Sequence, residues 1–427
     1  MGAGEEYGEA FEAAVQDVTA HLTSERQAWI LGAGTSCQSG LPLMTILTEL
    51  ISVHYQDEAK PFAPLFAGLR NALPVGAHVE HYLSHLGDLI AIAERTRDQM
   101  ATIGTTQFSA STLRELHGDI RDHIRSVIRR GYVPKQGDET LARVANDHEH
   151  VVHVDLQRDF VRTLFAARDK GGRELRPIQF FTLNYDTLLE DALALERIAY
   201  SDGFCGGGMA YWSPDVSYGD IRLGQRLSAH VVKLHGSIDW HGEEGGGIIR
   251  CREGCGYPAR AGNVLIYPQS TKYMATQRDP FAALFERLRA GMRDKHSGVL
   301  AICGYSFGDD HVDLEIEQAM SRTDCRTVIV AFAQETEKEG KFQLPERLRR
   351  WLSTQPWCGR VFVLSDKGIY HGNPTNLYTG SKSFDWWTFA GVTKLLNDGP
   401  RQFDASAEPE ASAPADAPAP VVDGGGK

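Results

Sequence analysis

The strongest constraint on this chain comes from its short apolar runs, most of which are continuous rather than alternating. Seven of them, at 28–32 (AWILG), 177–183 (PIQFFTL), 229–234 (AHVVKL), 263–267 (NVLIY), 298–304 (GVLAICG), 327–332 (TVIVAF) and 360–364 (RVFVL), read as strands. A strand with one wet face alternates polar and apolar residues, so a run that is apolar throughout is covered on both faces. Helical periodicity fills several of the gaps, at 185–196, 279–294, 310–321 and 344–353. Strands alternating with helices in this way predict an α/β fold in which helices cover both sides of a parallel sheet.

Between the first run and the second the strand signal almost vanishes. In PVGAHVEHYLSHLGDLIAIAERT, Val79, Tyr82, Leu83, Leu86, Leu89, Ile90 and Ala93 recur at three and four residues, which marks an amphipathic helix. Residues 108–131 read the same way. The expectation is one α/β domain over 1–400, with a helical subdomain of about residues 50–175 inserted after its first strand-helix unit. From 401 to 427 the chain is rich in Ala, Pro and acid, and a tail so poor in apolar residues is expected to be disordered.

Composition narrows the function. The net charge of −12 argues against a polyanion-binding face, and the basic stretch RDHIRSVIRR at 121–130 reads as a solvated helix surface, so no direct nucleic-acid contact is expected. No apolar run approaches the roughly 18 residues that a membrane span needs, and MGAGEEYGEAFEAA lacks the basic and apolar blocks of a signal peptide. With seven scattered cysteines, an odd number, free thiols in a reducing cytoplasm are expected. Only Cys251 and Cys255 lie close together, with Cys205 a distant third; a structural zinc site usually takes four ligands, so no metal is expected. His148, His150 and His153 read as a surface helix start, and His117, within a helical pattern, as a surface residue.

Four stretches stand at the carboxyl ends of expected strands, where open α/β sheets collect ligands. In AWILGAGTSCQSGLP, Gly32 and Gly34 allow a phosphate close to the backbone, and Thr35, Ser36 and the helix start behind them supply donors; a tight strand-to-helix turn explains the stretch equally well. Cys37 stands where a dinucleotide-binding fingerprint has its third glycine, and no acidic residue closing a second strand follows about 20 residues on. FFTLNYDTLLEDAL places Asn184 and Asp186 at a strand-helix junction; Asp186 is open to two readings, a helix cap or a ligand contact, whereas an amide at 184 can donate and accept at once toward a ribose or a water. In HVVKLHGSIDWHG, His235 follows a strand and precedes a glycine, so an imidazole able to accept a proton near neutral pH would sit at the sheet edge. In GVLAICGYSFGDDHVDLEI, Gly304 and Ser306 close a strand and Asp309 to His311 open a helix, a place for a second phosphate or a ribose or simply a connection.

Taken together and in order, TLNYD, KLHGSIDW and GYSFGDDH resemble the sirtuin-like family, in particular its bacterial antiphage-defence branch, over about residues 24–365. The resemblance implies a Rossmann-like sheet and NAD as substrate. It implies that Gly32, Ala33, Gly34, Thr35 and Ser36 hold the NAD phosphates, that Asn184 and Asp186 stand near the nicotinamide ribose, that His235 is catalytic, and that Gly304 and Ser306 form the late glycine-serine loop. Two departures weigh against protein deacylation: Leu41-Pro42-Leu43-Met44 replaces the Pro-Asp-Phe-Arg of deacylating members, and one cysteine pair stands where they carry a four-cysteine zinc module. The expected activity is NAD hydrolysis to ADP-ribose and nicotinamide by an antiphage effector that depletes NAD. The alternatives are a non-catalytic NAD or ADP-ribose binding scaffold or sensor, and a protein deacylase. The resemblance also implies a partner of the HerA-type ATPase or Argonaute-like kind, and a homo-oligomer is expected because an effector with a preorganised NAD site must keep its competent state rarely populated.

Overall fold

The computed structural model describes residues 7–57, 59–135, 142–168, 176–218, 221–222, 225–242, 247–252, 280–292, 298–338 and 340–399. Its frame is an eight-stranded sheet built from β1 (Gln27–Leu31), β2 (Ile178–Thr182), β3 (Tyr200–Ser201), β4 (Ala229–Lys233), β5 (Val299–Cys303), β6 (Val328–Ala333), β7 (Val361–Ser365) and β8 (Ile369–His371). They lie in the order β8-β7-β6-β5-β1-β2-β4-β3, parallel throughout except for the antiparallel edge strand β8. This is a Rossmann-like α/β architecture. Every residue of β1, β4, β5 and β7 is buried, the polar Gln27, His230, Lys233 and Ser365 included, as strands covered on both faces are.

Alternate residues of each strand feed two cores. Ile30, Phe181, Val232 and Ile302 pack with Leu284, Leu288, Val312, Ile316 and Trp351 from the helices Phe281–Met292, Asp310–Met320 and Glu346–Trp351. Trp29, Phe180, Val231 and Ala301 pack on the other face with Phe11, Phe160 and Val392 from Glu9–Leu22, Asp155–Arg168 and Phe389–Asp398. A third cluster joins Leu47, Leu69, Leu83 and Ile120 of four helices, Met44–His54, Ala63–Ala72, Val79–Arg95 and Ala110–Arg130, each amphipathic enough to bury one stripe.

Six of the seven expected strands belong to the sheet; residues 263–267 and the tail from 401 lie outside the described residues. Other expectations need correction. The segment between β1 and β2 holds a hairpin, Met100–Ile103 with Thr106–Ser109, and a two-residue ribbon, Tyr132–Val133 with Arg143–Val144, pieces too short to carry a period of two. His117 is half-buried rather than on the surface, and burial pushes its pKa down to about 4. The 121–130 face is only partly solvated, since Arg125 Nη2 meets His241 Nε2 at 3.0 Å. His148, His150 and His153 are exposed in coil ahead of Asp155–Arg168. No described helix is long and apolar enough to cross a membrane.

The order β4-β2-β1-β5-β6-β7 reverses between β1 and β5. Chain connections leave in opposite directions from that point, which opens a crevice beyond the carboxyl ends of the two strands.

Candidate functional site

The loops after β1 and β5 meet at this crevice through backbone hydrogen bonds. Gly32 N donates to Cys303 O at 3.0 Å and Gly34 N to Gly304 O at 2.9 Å. A Cβ on Gly32 would stand 2.5 Å from Gly304 O, one on Gly34 2.7 Å from Gly304 Cα, and one on Gly304, whose φ is +64°, 2.4 Å from Thr35 N. The glycines are therefore demanded by the neighbouring loop. Thr35 N and Ser36 N also bond within their own turn, to Gly32 O and Ala33 O. Of the five residues expected to hold phosphate, four thus spend their backbone amides on protein.

Their side chains point to the next strand. Asn184, two residues beyond β2, donates Nδ2 to Thr35 Oγ1 at 3.1 Å and to Ser36 Oγ at 3.0 Å. Its Oδ1 is buried and has no hydrogen-bond partner among the described residues. Ser36 Oγ donates to Asp186 Oδ2 at 2.8 Å, and Leu188 N to Asp186 Oδ1 at 3.0 Å. Of the two readings of Asp186 the structure meets the capping one, since it braces the start of the helix Leu188–Leu195; its other oxygen ties the β2 loop to the β1 loop. Burial pushes its pKa up, against the pull of Lys233, the Leu188 amide and the Ser36 hydroxyl.

Residues that the sequence reading passed over support this knot. Gln157 donates Nε2 to Thr35 O and accepts from Ser39 Oγ, both at 2.9 Å. Lys233, inside β4, is 1% exposed; its Nζ donates to the Asp186 carbonyl and pairs at 3.3 Å with Glu190 Oε1, itself on a residue 2% exposed. A lysine inside the apolar run AHVVKL was the available signal, because a buried charge implies a partner.

His235 is buried just past β4, where Gly236 at φ +82° turns the chain. Its Nε2 lies 3.1 Å from Nε2 of His311, with the rings stacked 5.2 Å apart. His311 stands in the first turn of Asp310–Met320, within GYSFGDDH, and only the fold brings it to His235. Asp309 Oδ1 lies 3.9 Å from His311 Nδ1. Among the described residues His235, Asp309 and His311 form the one cluster with three possible metal donors, which the expectation of no metal overlooked. Ser306 is exposed on the same β5 loop, and Phe307 beside it is buried at φ +58°. Cys205 and Cys251 lie on separate strands of a small antiparallel sheet and form no three-donor cluster among the described residues; Cys255 lies outside them.

Beside Asp186 opens a cleft of about 650 Å³, lined by Leu188, Ile238 and Asp239 on the sheet side and by Ile128, Arg130 and Val152 on the helical side. Its size falls within the range of small-molecule sites.

The SIR2-like domain family model matches residues 179–355, a span that takes in Asn184, Asp186, His235, Gly304, Ser306 and His311 and begins beyond the Gly32–Ser36 loop. No curated protein matches the chain. The match supports a sirtuin-like assignment for the part of the sheet that carries Asn184 and His235, and with it an NAD-related function of the sirtuin kind.

Proposed function

We propose that this protein is an NAD glycohydrolase, cleaving NAD to ADP-ribose and nicotinamide, and that it acts as an antiphage effector by depleting NAD. The observation that carries the proposal is Asn184: its Nδ2 is committed to Thr35 and Ser36, while its buried Oδ1 has no partner among the described residues and borders an interior space of about 10 Å³, room for one water through which a ribose would be oriented. It stands at the carboxyl ends of β1 and β2, on the sheet edge that also carries His235 and Gly304. The residues fit an NAD ribose and a water better than a hydride-transfer site, since no acidic residue closing a second strand follows the Gly32–Ser36 loop at fingerprint spacing.

In this proposal Asn184 orients the ribose and the attacking water, and His235 takes the proton that the water gives up. Water oxygen bonds to C1′ as the C1′–nitrogen bond breaks through an oxocarbenium-like state, and nicotinamide leaves with the bonding pair. Gly32, Ala33, Gly34, Thr35 and Ser36 with Gly304 and Ser306 would face the phosphates and adenine ribose. The protein would form a homo-oligomer of low intrinsic activity, raised by a partner of the HerA-type ATPase or Argonaute-like kind.

The test is nicotinamide release by purified full-length protein, with and without an acylated peptide. His235→Ala and Asn184→Ala should lower release about a hundred- to ten-thousand-fold, whereas His117→Ala should leave release intact and cost only stability. NAD binding without release would favour the scaffold alternative, and release that needs the peptide would favour deacylation. Retained turnover in both site variants would place the chemistry elsewhere.

A further inference from the structure

We propose that His235, His311 and Asp309 form a binding site for a divalent transition cation of the zinc type, and that its occupancy switches NAD cleavage off. The second half rests on the reading of His235 as the proton acceptor; the first half does not.

Three observations converge. One donor atom from each residue lies within 4.8 Å of the others, and the set of two imidazoles and a carboxylate suits zinc. The two Nε2 atoms are 3.1 Å apart. Two nitrogens bound to one tetrahedral zinc at about 2.0–2.1 Å are separated by about 3.3 Å, close to the spacing found here, and an ion would replace the proton the two rings share. Finally, the three residues come from two segments at the same end of the sheet: His235 follows β4, Asp309 and His311 cap and open the helix that follows β5, and β1 and β2 lie between them. An ion here would bridge the site over the ends of β1 and β2.

Three protein ligands leave a fourth position open, the arrangement of a reachable rather than a purely structural zinc. An ion bound to His235 Nε2 occupies the lone pair that would accept the proton of water. Imidazole must be neutral to bind the metal, so the same nitrogen cannot serve both ends at once. Zinc would therefore inhibit without unfolding the protein, and a chelator would restore activity.

The experiment titrates the chelator-treated full-length chain with Co²⁺, following the visible ligand-field bands, and then with Zn²⁺ as competitor. The expected result is one equivalent bound in a tetrahedral or five-coordinate spectrum without a sulfur-to-metal charge-transfer band. Asp309→Asn and His311→Gln should each weaken binding by at least about 10–100-fold. In parallel, stoichiometric Zn²⁺ should suppress nicotinamide release and EDTA should restore it. Absence of stoichiometric binding, a thiolate band, or binding unchanged in both variants would overturn the site. Binding with cleavage unaffected would overturn the switch. Should the chain release no nicotinamide under any condition, the activity proposal fails while the cobalt spectrum still decides the site.

Discussion

Replacing Lys233 by methionine keeps most of the length of the side chain and removes its charge from a position only 1% exposed. Glu190, 2% exposed, would then keep a carboxylate whose Oε1 has lost its ion pair and whose Oε2 has no hydrogen-bond partner among the described residues. Breaking a buried pair from one side costs about 3–5 kcal/mol, because what remains is an uncompensated buried charge. Replacing both partners by apolar residues is often close to neutral. Urea unfolding of the full chain should thus show a loss of about 3–5 kcal/mol for Lys233→Met, and a double variant with Glu190→Leu should recover at least about 2 kcal/mol of it. Nicotinamide release separates the two jobs of the lysine. The double variant regains stability but not the Nζ bond to the Asp186 carbonyl, so the loop bearing Asn184 stays poorly held and release should stay low. A single-variant cost under about 1 kcal/mol, or a double variant that loses the sum of both singles, would refute the ion-pair account. Full release from the double variant would refute the positioning account.

Two further outcomes are expected. Gly304→Ala puts a Cβ 2.4 Å from Thr35 N at φ +64°, whereas Gly340→Ala, at φ +75°, meets nothing within 4 Å; both should lose about 1–2 kcal/mol to left-handed strain, and only the former should lose more and impair nicotinamide release, as melting and activity measured on the pair will show. Asp313, pushed up to about 6 by burial against the pull of the Tyr305 hydroxyl and Arg347, binds its proton more tightly folded than unfolded, where its value is 3.8. Its charging therefore opposes folding, and the stability of wild type relative to Asp313→Asn should fall as pH rises from about 4 to about 6 and stay flat above; an unchanging difference across that window would show that the carboxyl ionises freely.

The sheet was legible because burial on both faces leaves a local mark: AWILG, AHVVKL and VLAIC carry no alternation, and each is a central strand. The loop positions of Asn184 and His235 followed from those strands. What the sequence concealed is pairing at long range. Ser36 and Asp186 are 150 residues apart and His235 and His311 are 76 apart, and no periodicity connects such positions. The glycines at 32 and 34 were visible, but their partner was not: they face Gly304, which becomes a neighbour only when β5 lies beside β1. The hairpin at 100–109 and the pairing of Tyr132–Val133 with Arg143–Val144 escaped for the opposite reason, since pieces of two to four residues give a pattern nothing to repeat.

The contact of Gly32 and Gly34 with Gly304 has a mechanical consequence. Where two loops meet through side chains, rotamers can change and the gap can widen by small steps. Where they meet main chain to main chain, with carbonyl and amide engaged and no room for a methyl, there is no intermediate setting. The β1 and β5 ends behave as one rigid anvil. The Asn184–Asp186 turn is joined to that anvil by side chains, Asn184 to Thr35 and Ser36 and Ser36 to Asp186, and it borders the 650 Å³ cleft beside the helical segment. A signal that loads those helices would therefore act on these three side-chain bonds before it reached the main-chain contact.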